Sequence, residues 1–393
     1  NNVVTLRSYW MNSPQGNHLH IMIILPPPYN QPHLITHTTH NVHTHTHKPS
    51  MFSSFVVFIC VISIVLAESP WMDKSKTSAE RVDFLMKEMR MTEKLDMLHG
   101  YPATGYVGYT VGNERLKIPA LTLNDGPQGY RCNDYVGTST SFPGGATIGS
   151  TWDRKLAKLW GKAMGKEFFD KGSNVQLGPG VNLARVPQNG RNFEYISGAD
   201  PFLGYEMSGA AVKGIQSQNV IANAKHYINN NQETNRNKIS ERVDERTRHE
   251  LYYRPFAGAI DANVGSFMCS YNLINDIYAC ENDETLNTDL RGHLGFEHGW
   301  VMSDWGATHS TSIKEGLDQE MPGDVFFGNT LLEMTKNGTI SQETIDKSVK
   351  RILTPMFRMG LFDVVNTNKD SNIVTSSEHN DITRNLASAA QIY

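Results

Sequence analysis

The sequence predicts an α/β protein built as a (β/α)8, TIM-like barrel. Two observations carry this reading. Short apolar runs of strand length alternate with longer stretches of helical period, the pattern of parallel strands joined by helical crossovers. Polar or ionisable residues then recur just beyond the apolar runs, at Asp125, Arg185, Lys225-His226, Tyr271 and Asp304. A barrel collects such residues on one rim. A doubly wound open sheet is the alternative. Its phosphate turn would have to be Gly178-Pro179-Gly180, where proline fixes the backbone and removes an amide.

In chain order, residues 79–99 read as helix, with Val82, Leu85, Met86 and Met89 on one face. A glycine-rich loop, Gly100 to Gly112, leads to a strand at 120–123 that ends in Asn124-Asp125-Gly126-Pro127. Helical spacing returns over 154–169, followed by a short strand at 175–177. Residues 204–217 are again helical, and 220–226 form a strand with Lys225-His226 at its end. A helix over 245–260 tolerates Pro255, and strands follow at 266–271 and 300–303. The last helical stretches are 344–358 and 383–392, separated by a polar segment, 366–378, with the composition of a linker.

Composition narrows the class further. With 393 residues, 39% hydrophobic and 19% charged, the chain suits a large globular protein. A formal net charge of -4 offers no basic field for nucleic acid. Residues 1–50 hold eight of the fifteen His and lack an apolar period, so they read as non-globular and upstream of the true start, Met51. From Phe52 to Leu66 the chain is almost wholly apolar, and Val65-Leu66-Ala67 supplies small residues for cleavage, which predicts a signal peptide over 51–67 and a secreted product. The run is too short for a membrane span, so no membrane association is expected after cleavage. The sequon Asn337-Gly338-Thr339 fits secretion.

Of the four Cys, Cys269 and Cys280 bracket a turn-rich segment and are predicted to pair, leaving Cys132 unassigned. No CxxC or Cys/His zinc spacing occurs, and no metal or organic cofactor is expected.

Asp304 is the residue of greatest interest. It follows the strand 300–303 and sits between Trp300 and Trp305. Strand-end aspartates commonly cap a helix or hold a turn. An ionised carboxylate at a barrel mouth beside an aromatic wall can instead attack an anomeric carbon. Asp125 alone would be a turn residue, Arg191 could pair with Glu194 at the surface, and Tyr271 and Met268 would be core. Glu194, Asp200 and Asp318 read as structural, and Arg131 as a partner for Asp125.

The ordered series Asn124-Asp125-Gly126-Pro127-Gln128-Gly129-Tyr130-Arg131, Phe142-Pro143-Gly144, Gly178-Pro179-Gly180-Val181-Asn182, Gly190-Arg191-Asn192-Phe193-Glu194, Ala224-Lys225-His226-Tyr227, Met268-Cys269-Ser270-Tyr271-Asn272 and Ser303-Asp304-Trp305 resembles glycoside hydrolase family 3, and the β-glucosidases within it. The resemblance implies a catalytic barrel over 68–365 and, over 366–393, a linker and the start of a second, α/β-sandwich domain absent from the chain. It implies a retaining β-glucosidase with Asp304 as nucleophile. Asp125, Arg191, Lys225 and His226 would hold the sugar hydroxyls, Met268 and Tyr271 would pack near the nucleophile, and Trp305 would form the stacking wall. Two cations near Asp304 and Asp125 are expected to keep both carboxylates ionised.

In most of the family a Glu on the second domain is the acid/base. One bacterial branch uses a His-Asp pair after the Lys-His motif, and the stretch Asn229-Asn230-Asn231-Gln232-Glu233-Thr234 lacks both residue types. The expected partner is a β-glucoside or oligosaccharide. A non-catalytic sugar-binding barrel and a β-xylosidase of the same family are the alternatives.

Overall fold

The computed structural model describes residues 5–13, 16–24, 69–102, 105–132 and 136–391. Residues 1–67 and 68–393 are separate compact units. In the first, Thr5–Ser13 pairs antiparallel with Gly16–Ile24 across a two-residue connection, where the sequence predicts no regular structure. The signal peptide predicted over 51–67 lies outside the described residues.

The second unit begins with helix α1, Ser78–Glu88, capped by a reciprocal box between Thr77 and Glu80. Its buried face carries Arg81, Val82, Leu85 and Met86, and the Arg81 guanidinium donates to both oxygens of Asp363 at 2.9 and 2.8 Å. The expected single helix over 79–99 is divided. Met89 is extended, and the backbone N–H of Arg90 donates to the Glu93 carboxylate at 2.8 Å, which starts a separate turn, α2, Met91–Leu95.

The main sheet among the described residues has six strands, β1 Gly108–Thr110, β2 Leu121–Asp125, β3 Val175–Leu177, β4 Ile221–Tyr227, β5 Ser266–Cys269 and β6 Trp300–Ser303, and three two-residue strands, Ser240–Glu241, Leu273–Ile274 and Ile277–Tyr278, form a separate small sheet. The six form one curled sheet in chain order, with β1 antiparallel to β2 and every other pairing parallel. Helix α3, Arg154–Asp170, connects β2 to β3; α4, Pro201–Gln216, connects β3 to β4; α5, Arg254–Asp261, connects β4 to β5. A wide-turn helix over Glu284–His293 makes the crossover from β5 to β6. Every residue of β3 through β6 is buried, as expected for strands covered on both faces. Outside them α3 and α4 pack backbone against backbone: a Cβ on Gly161 would lie 2.3 Å from the Ala211 carbonyl oxygen, so only glycine fits.

Single bridges extend the sheet beyond its edges. Met302 bridges Gln319, Glu320 bridges His99, and the Tyr101 N–H donates to the Tyr109 carbonyl of β1 at 2.8 Å. β1, hidden in what reads as a glycine-rich loop, is antiparallel and has no crossover helix before β2, a departure from eight regular βα repeats.

The polar segment after residue 365 is hydrogen-bonded to the end of α3. Asn366 and Asn368 donate their amides to the Phe169 carbonyl at the end of α3 at 2.8 and 3.1 Å, and Lys171 Nζ donates to the Asn372 carbonyl at 2.7 Å. These amides satisfy helix-terminal carbonyls, a structural use of polar residues that a composition cannot distinguish from a linker. After α6, Gln342–Arg358, and that segment comes α7, Ser377–Ala389, whose His379 Nδ1 lies 2.6 Å from buried Glu167 Oε1 on α3. Cys269 and Cys280 are bonded, with Cα atoms 5.3 Å apart, and Cys132 is free.

Asp318 anchors the far edge. It is wholly buried, takes Arg291 at 2.6 Å and Arg351 at 3.1 Å, and accepts the Val301 N–H of β6 at 2.9 Å. Removing one member of a buried charge network strands its partners, at a cost of about 3–5 kcal/mol. Asp318→Asn is therefore expected to lower the unfolding free energy by that amount, read from the urea midpoint and slope by tryptophan fluorescence.

Candidate functional site

The register of the parallel strands brings the site together. Lys225 is paired with Met268, and Met268 with Met302, so the three lie at one height. Asp304 comes two residues later, with its N–H donating to the Cys269 carbonyl at 3.1 Å. On the opposite side of the site, Asp125 ends β2 beside Leu177. Asp125, Lys225, His226, Tyr271 and Asp304 thus emerge at the C-terminal ends of the strands, where open parallel sheets and barrels hold their ligands, whereas Arg185 is exposed in a loop well past the end of β3.

Lys225 and His226 are consecutive, and on a regular strand they would face opposite ways. The ladder shifts register between Lys225 and Tyr227. The irregularity re-aims the chain, a common use of bulges beside functional sites, so that Lys225 Nζ reaches 3.5 Å from Asp125 Oδ1 while His226 Nε2 lies 3.6 Å from Asp304 Oδ2.

Asp304 is 7% exposed. Its Oδ1 accepts the Trp305 N–H at 2.8 Å, while Oδ2 is buried without a partner in hydrogen-bonding geometry. Burial pushes its pKa up. Lys225, the Trp305 amide, the Tyr271 hydroxyl and Arg191 act in the other direction without cancelling it. Desolvation outweighs the neighbouring cations in setting the direction of the shift. Arg191 remains charged. Burial works against it, but Tyr195, Glu194, Asp304 and Glu233 hold its pKa above the ordinary guanidinium value. Its Nη2 lies 2.6 Å from Glu194 Oε1, so the ion pair suggested by the sequence exists, and exists within the site.

His226 is fully buried, and its pKa is well below the ordinary value because burial, then Arg191, Lys225 and Arg236, all oppose its charge. It is neutral at pH 7, and its contact with Asp304 is therefore not an ion pair. Asn230 donates to the Tyr195 hydroxyl at 3.5 Å, and that hydroxyl lies 3.3 Å from His226 Nδ1. A ring that accepts at Nδ1 carries its proton at Nε2, facing Asp304. Asn182 holds the His226 backbone at both ends, accepting its N–H at 2.6 Å and donating to its carbonyl at 3.0 Å. Tyr195 and Asn182 were not singled out from the sequence. Asn182 stands in a quoted motif, but nothing local marks either as a partner of a residue more than thirty positions away.

Asp125 pairs with Arg131 at 2.8 Å as well as with Lys225. A cavity of about 460 Å³ opens beside this cluster, lined by Asp125, Gln128, Arg131, Arg191, Phe193 and Lys225. Its volume lies in the usual range for small-molecule sites. Asp304, His226, Tyr271 and Trp305 do not line it. Lys225 and Arg191 connect the two groups, because they line the cavity and also act on Asp304. Trp305 is fixed by its indole N–H, which donates to the Val107 carbonyl at 3.2 Å, and its ring meets Gly108 of β1 where a Cβ would lie 2.8 Å away. The Arg236 guanidinium lies over the Tyr271 ring at 4.2 Å. Met268 is 1% exposed and packed in the core. Asp200 caps α4, consistent with a structural role.

Comparison with known proteins gives a consistent set. The model of the glycosyl hydrolase family 3 N-terminal domain matches residues 101–355. The chain is 44% identical over 323 residues to a probable β-glucosidase A of Aspergillus oryzae, an alignment covering 74% of this chain and 37% of that protein. It is 42% identical to β-glucosidase 1 of Aspergillus aculeatus, with the same shares covered. Among solved structures, a β-glucosidase from Streptomyces venezuelae crystallised with D-glucose superposes with a TM-score of 0.74 at 35% identity, over 79% of this chain and 41% of that one. A β-D-glucoside glucohydrolase from Trichoderma reesei gives 0.73 at 36%, over 81% and 45%. The chain spans little more than a third of the length of the curated relatives it matches.

The raised pKa of Asp304 has a consequence for stability. A carboxyl whose folded pKa lies above its ordinary value of 3.8 stabilises the fold only while protonated, and that contribution is lost as pH rises through the folded value. Asp304→Asn is expected to raise the urea midpoint at pH 7, with the gain over the wild type shrinking as pH falls to the ordinary carboxyl range. A gain independent of pH, or a loss at pH 7, would contradict the dominance of desolvation.

Proposed function

The chain belongs to glycosyl hydrolase family 3, and on that premise we propose that it is the nucleophile-bearing part of a secreted, retaining β-glucosidase. The observation that carries the reading is the Asp304 carboxylate: buried, at the end of a parallel strand, with Oδ2 unengaged and two cations close by. A carboxylate in water is a poor nucleophile. One stripped of its hydration shell and held by fixed dipoles is a better one, and it also stabilises the positive charge that develops at the anomeric carbon.

In the first step Oδ2 attacks that carbon and the glycosidic oxygen leaves with a proton, giving a glycosyl-enzyme. Water then releases the sugar. Asp125, Arg191, Lys225 and neutral His226 offer acceptors and donors in the pattern a pyranose ring of hydroxyls requires. Trp305 supplies the apolar face. Terminal β-D-glucosyl residues are the proposed substrate class, supported by the names of the relatives and by the structural neighbour crystallised with D-glucose.

Retention needs a second carboxyl, about 5–5.5 Å from the first, as acid and then base. We place it on a further domain, as in most of the family. Two observations support this: residues 229–234 lack the His-Asp pair, and Glu233 is engaged with Arg236 at 3.0 Å. The six strands with the bridged segments at His99 and Gln319 are read as an irregular closed barrel, supported by the Tyr101-to-Tyr109 hydrogen bond.

Incubation of the chain with an activated 2-deoxy-2-fluoro glucoside is expected to add the mass of one fluoroglucosyl group at Asp304, located by peptide mass spectrometry. A folded chain with no adduct, or with the label elsewhere, would overturn the assignment. On a glucoside with an unactivated alkyl leaving group, Glu233→Gln should react at the wild-type rate, escaping the roughly 10²–10⁴-fold loss that follows removal of a general acid.

A further inference from the structure

A second cluster of ligand-type side chains lies apart from this site. His249 sits in a wide-turn segment, Arg248–Tyr252, and Asp289 and His293 share the wide-turn helix Glu284–His293. Single turns of this kind are rare and concentrate at functional positions. His249 Nε2 lies 3.3 Å from Asp289 Oδ1 and His293 Nδ1 lies 3.2 Å from the same oxygen, with all three atoms within 4.8 Å of one another. Four-coordinate zinc, with bonds near 2.0–2.2 Å, separates neighbouring ligand atoms by about 3.3–3.5 Å. The two measured separations have that size.

Ordinary histidine-carboxylate hydrogen bonds are the competing explanation; His293 Nδ1 makes one with Asp289 Oδ1 at 3.2 Å, but His249 does not. His249 Nε2 is buried and makes no hydrogen bond, although Asp289 Oδ1 is within 3.3 Å. The ring nitrogen is near the oxygen without being aimed at it. That leaves a buried imidazole nitrogen beside the carboxylate without a partner of its own.

The carboxylate is also held from behind. Asp289 is 2% exposed, its Oδ2 accepts from the Tyr253 hydroxyl at 2.6 Å and lies 3.4 Å from Arg248 Nη2. Such outer contacts orient metal-binding carboxylates. Arg248 is itself paired with Glu284, which limits its repulsion of a cation. His293 is more than half exposed, so the fourth position opens to water.

We propose that His249, Asp289 and His293 bind one divalent transition-metal ion of the zinc class. Two imidazoles and one carboxylate are the donor set such ions favour. The ion would staple the crossover after β4 to the crossover after β5. Tyr253 connects this staple to the strand that carries His226, because its ring stacks on Tyr227 at 5.6 Å and 9°.

The test uses the full chain, stripped with chelator and titrated with Zn(II) by calorimetry and with Co(II) by visible absorption. His249→Gln and His293→Gln are the variants, and far-ultraviolet circular dichroism checks that each is folded. Because residues 1–50 carry eight further His, the readout is the difference between variants and wild type. The expected result is one equivalent more in the wild type than in either variant, or that equivalent at least about tenfold weaker in the variants. A four-coordinate Co(II) band is expected in the wild type alone. Equal stoichiometry, affinity and Co(II) spectra in all three proteins would overturn the proposal.

Discussion

The Asp304 carboxylate is a charge kept where water does not reach it, and much of the surrounding structure bears on that position. Left alone, a buried carboxylate takes up a proton. Lys225 and Arg191 oppose this from β4 and from the loop before α4, and the Trp305 amide and Tyr271 hydroxyl oppose it from β6 and the end of β5. Burial still dominates. The outcome is a group poised rather than simply paired: ionisable, short of solvation, and with one oxygen unengaged.

The cations in turn need company of their own. Arg191 has Glu194 and Lys225 has Asp125, which is shared with Arg131. Each positive charge near Asp304 is thus balanced by a carboxylate that lines the cavity, and the whole cluster has little net charge. His226 stays neutral in the midst of it because burial opposes its charge and three nearby cations add to that cost. A neutral imidazole can donate from one nitrogen and accept at the other, which suits a hydroxyl-bearing ligand better than a fixed charge would.

Behind the rim, long-range anchors hold the strand ends in place. Asp318 ties β6 to Arg291 and Arg351, and Asn182 fixes the backbone at the irregularity that turns Lys225 and His226. The stack of Tyr227 on Tyr253 extends from that strand to Asp289, where the proposed metal staple sits. The active rim and the outer crossovers are parts of one packed network, and interiors at this density transmit small shifts.

Much of the fold was legible locally. Strands buried on both faces are apolar runs, crossover helices show a 3.6-residue period, and residues placed just after a strand must emerge at its end. Period and position alone therefore located β2 through β6 and put Asp125, Lys225, His226, Tyr271 and Asp304 at strand ends. The antiparallel β1 was concealed because its three residues lie among glycines, and the polarity of residues 366–378 does not reveal that Asn366, Asn368 and Asn372 bond the end of α3.

What only the tertiary structure decided depends on distance and dielectric. Whether Asp304 is held down by cations or pushed up by burial is a contest of surroundings that no local pattern encodes. The same holds for the register shift that turns both Lys225 and His226 into the site. His249 and the pair Asp289-His293 stand forty residues apart in the chain, a spacing that signals nothing until two crossovers are folded against each other. Chemical identity is written in the order of residues, but the energy of each charge is set by what the fold brings near it and by how much water it removes.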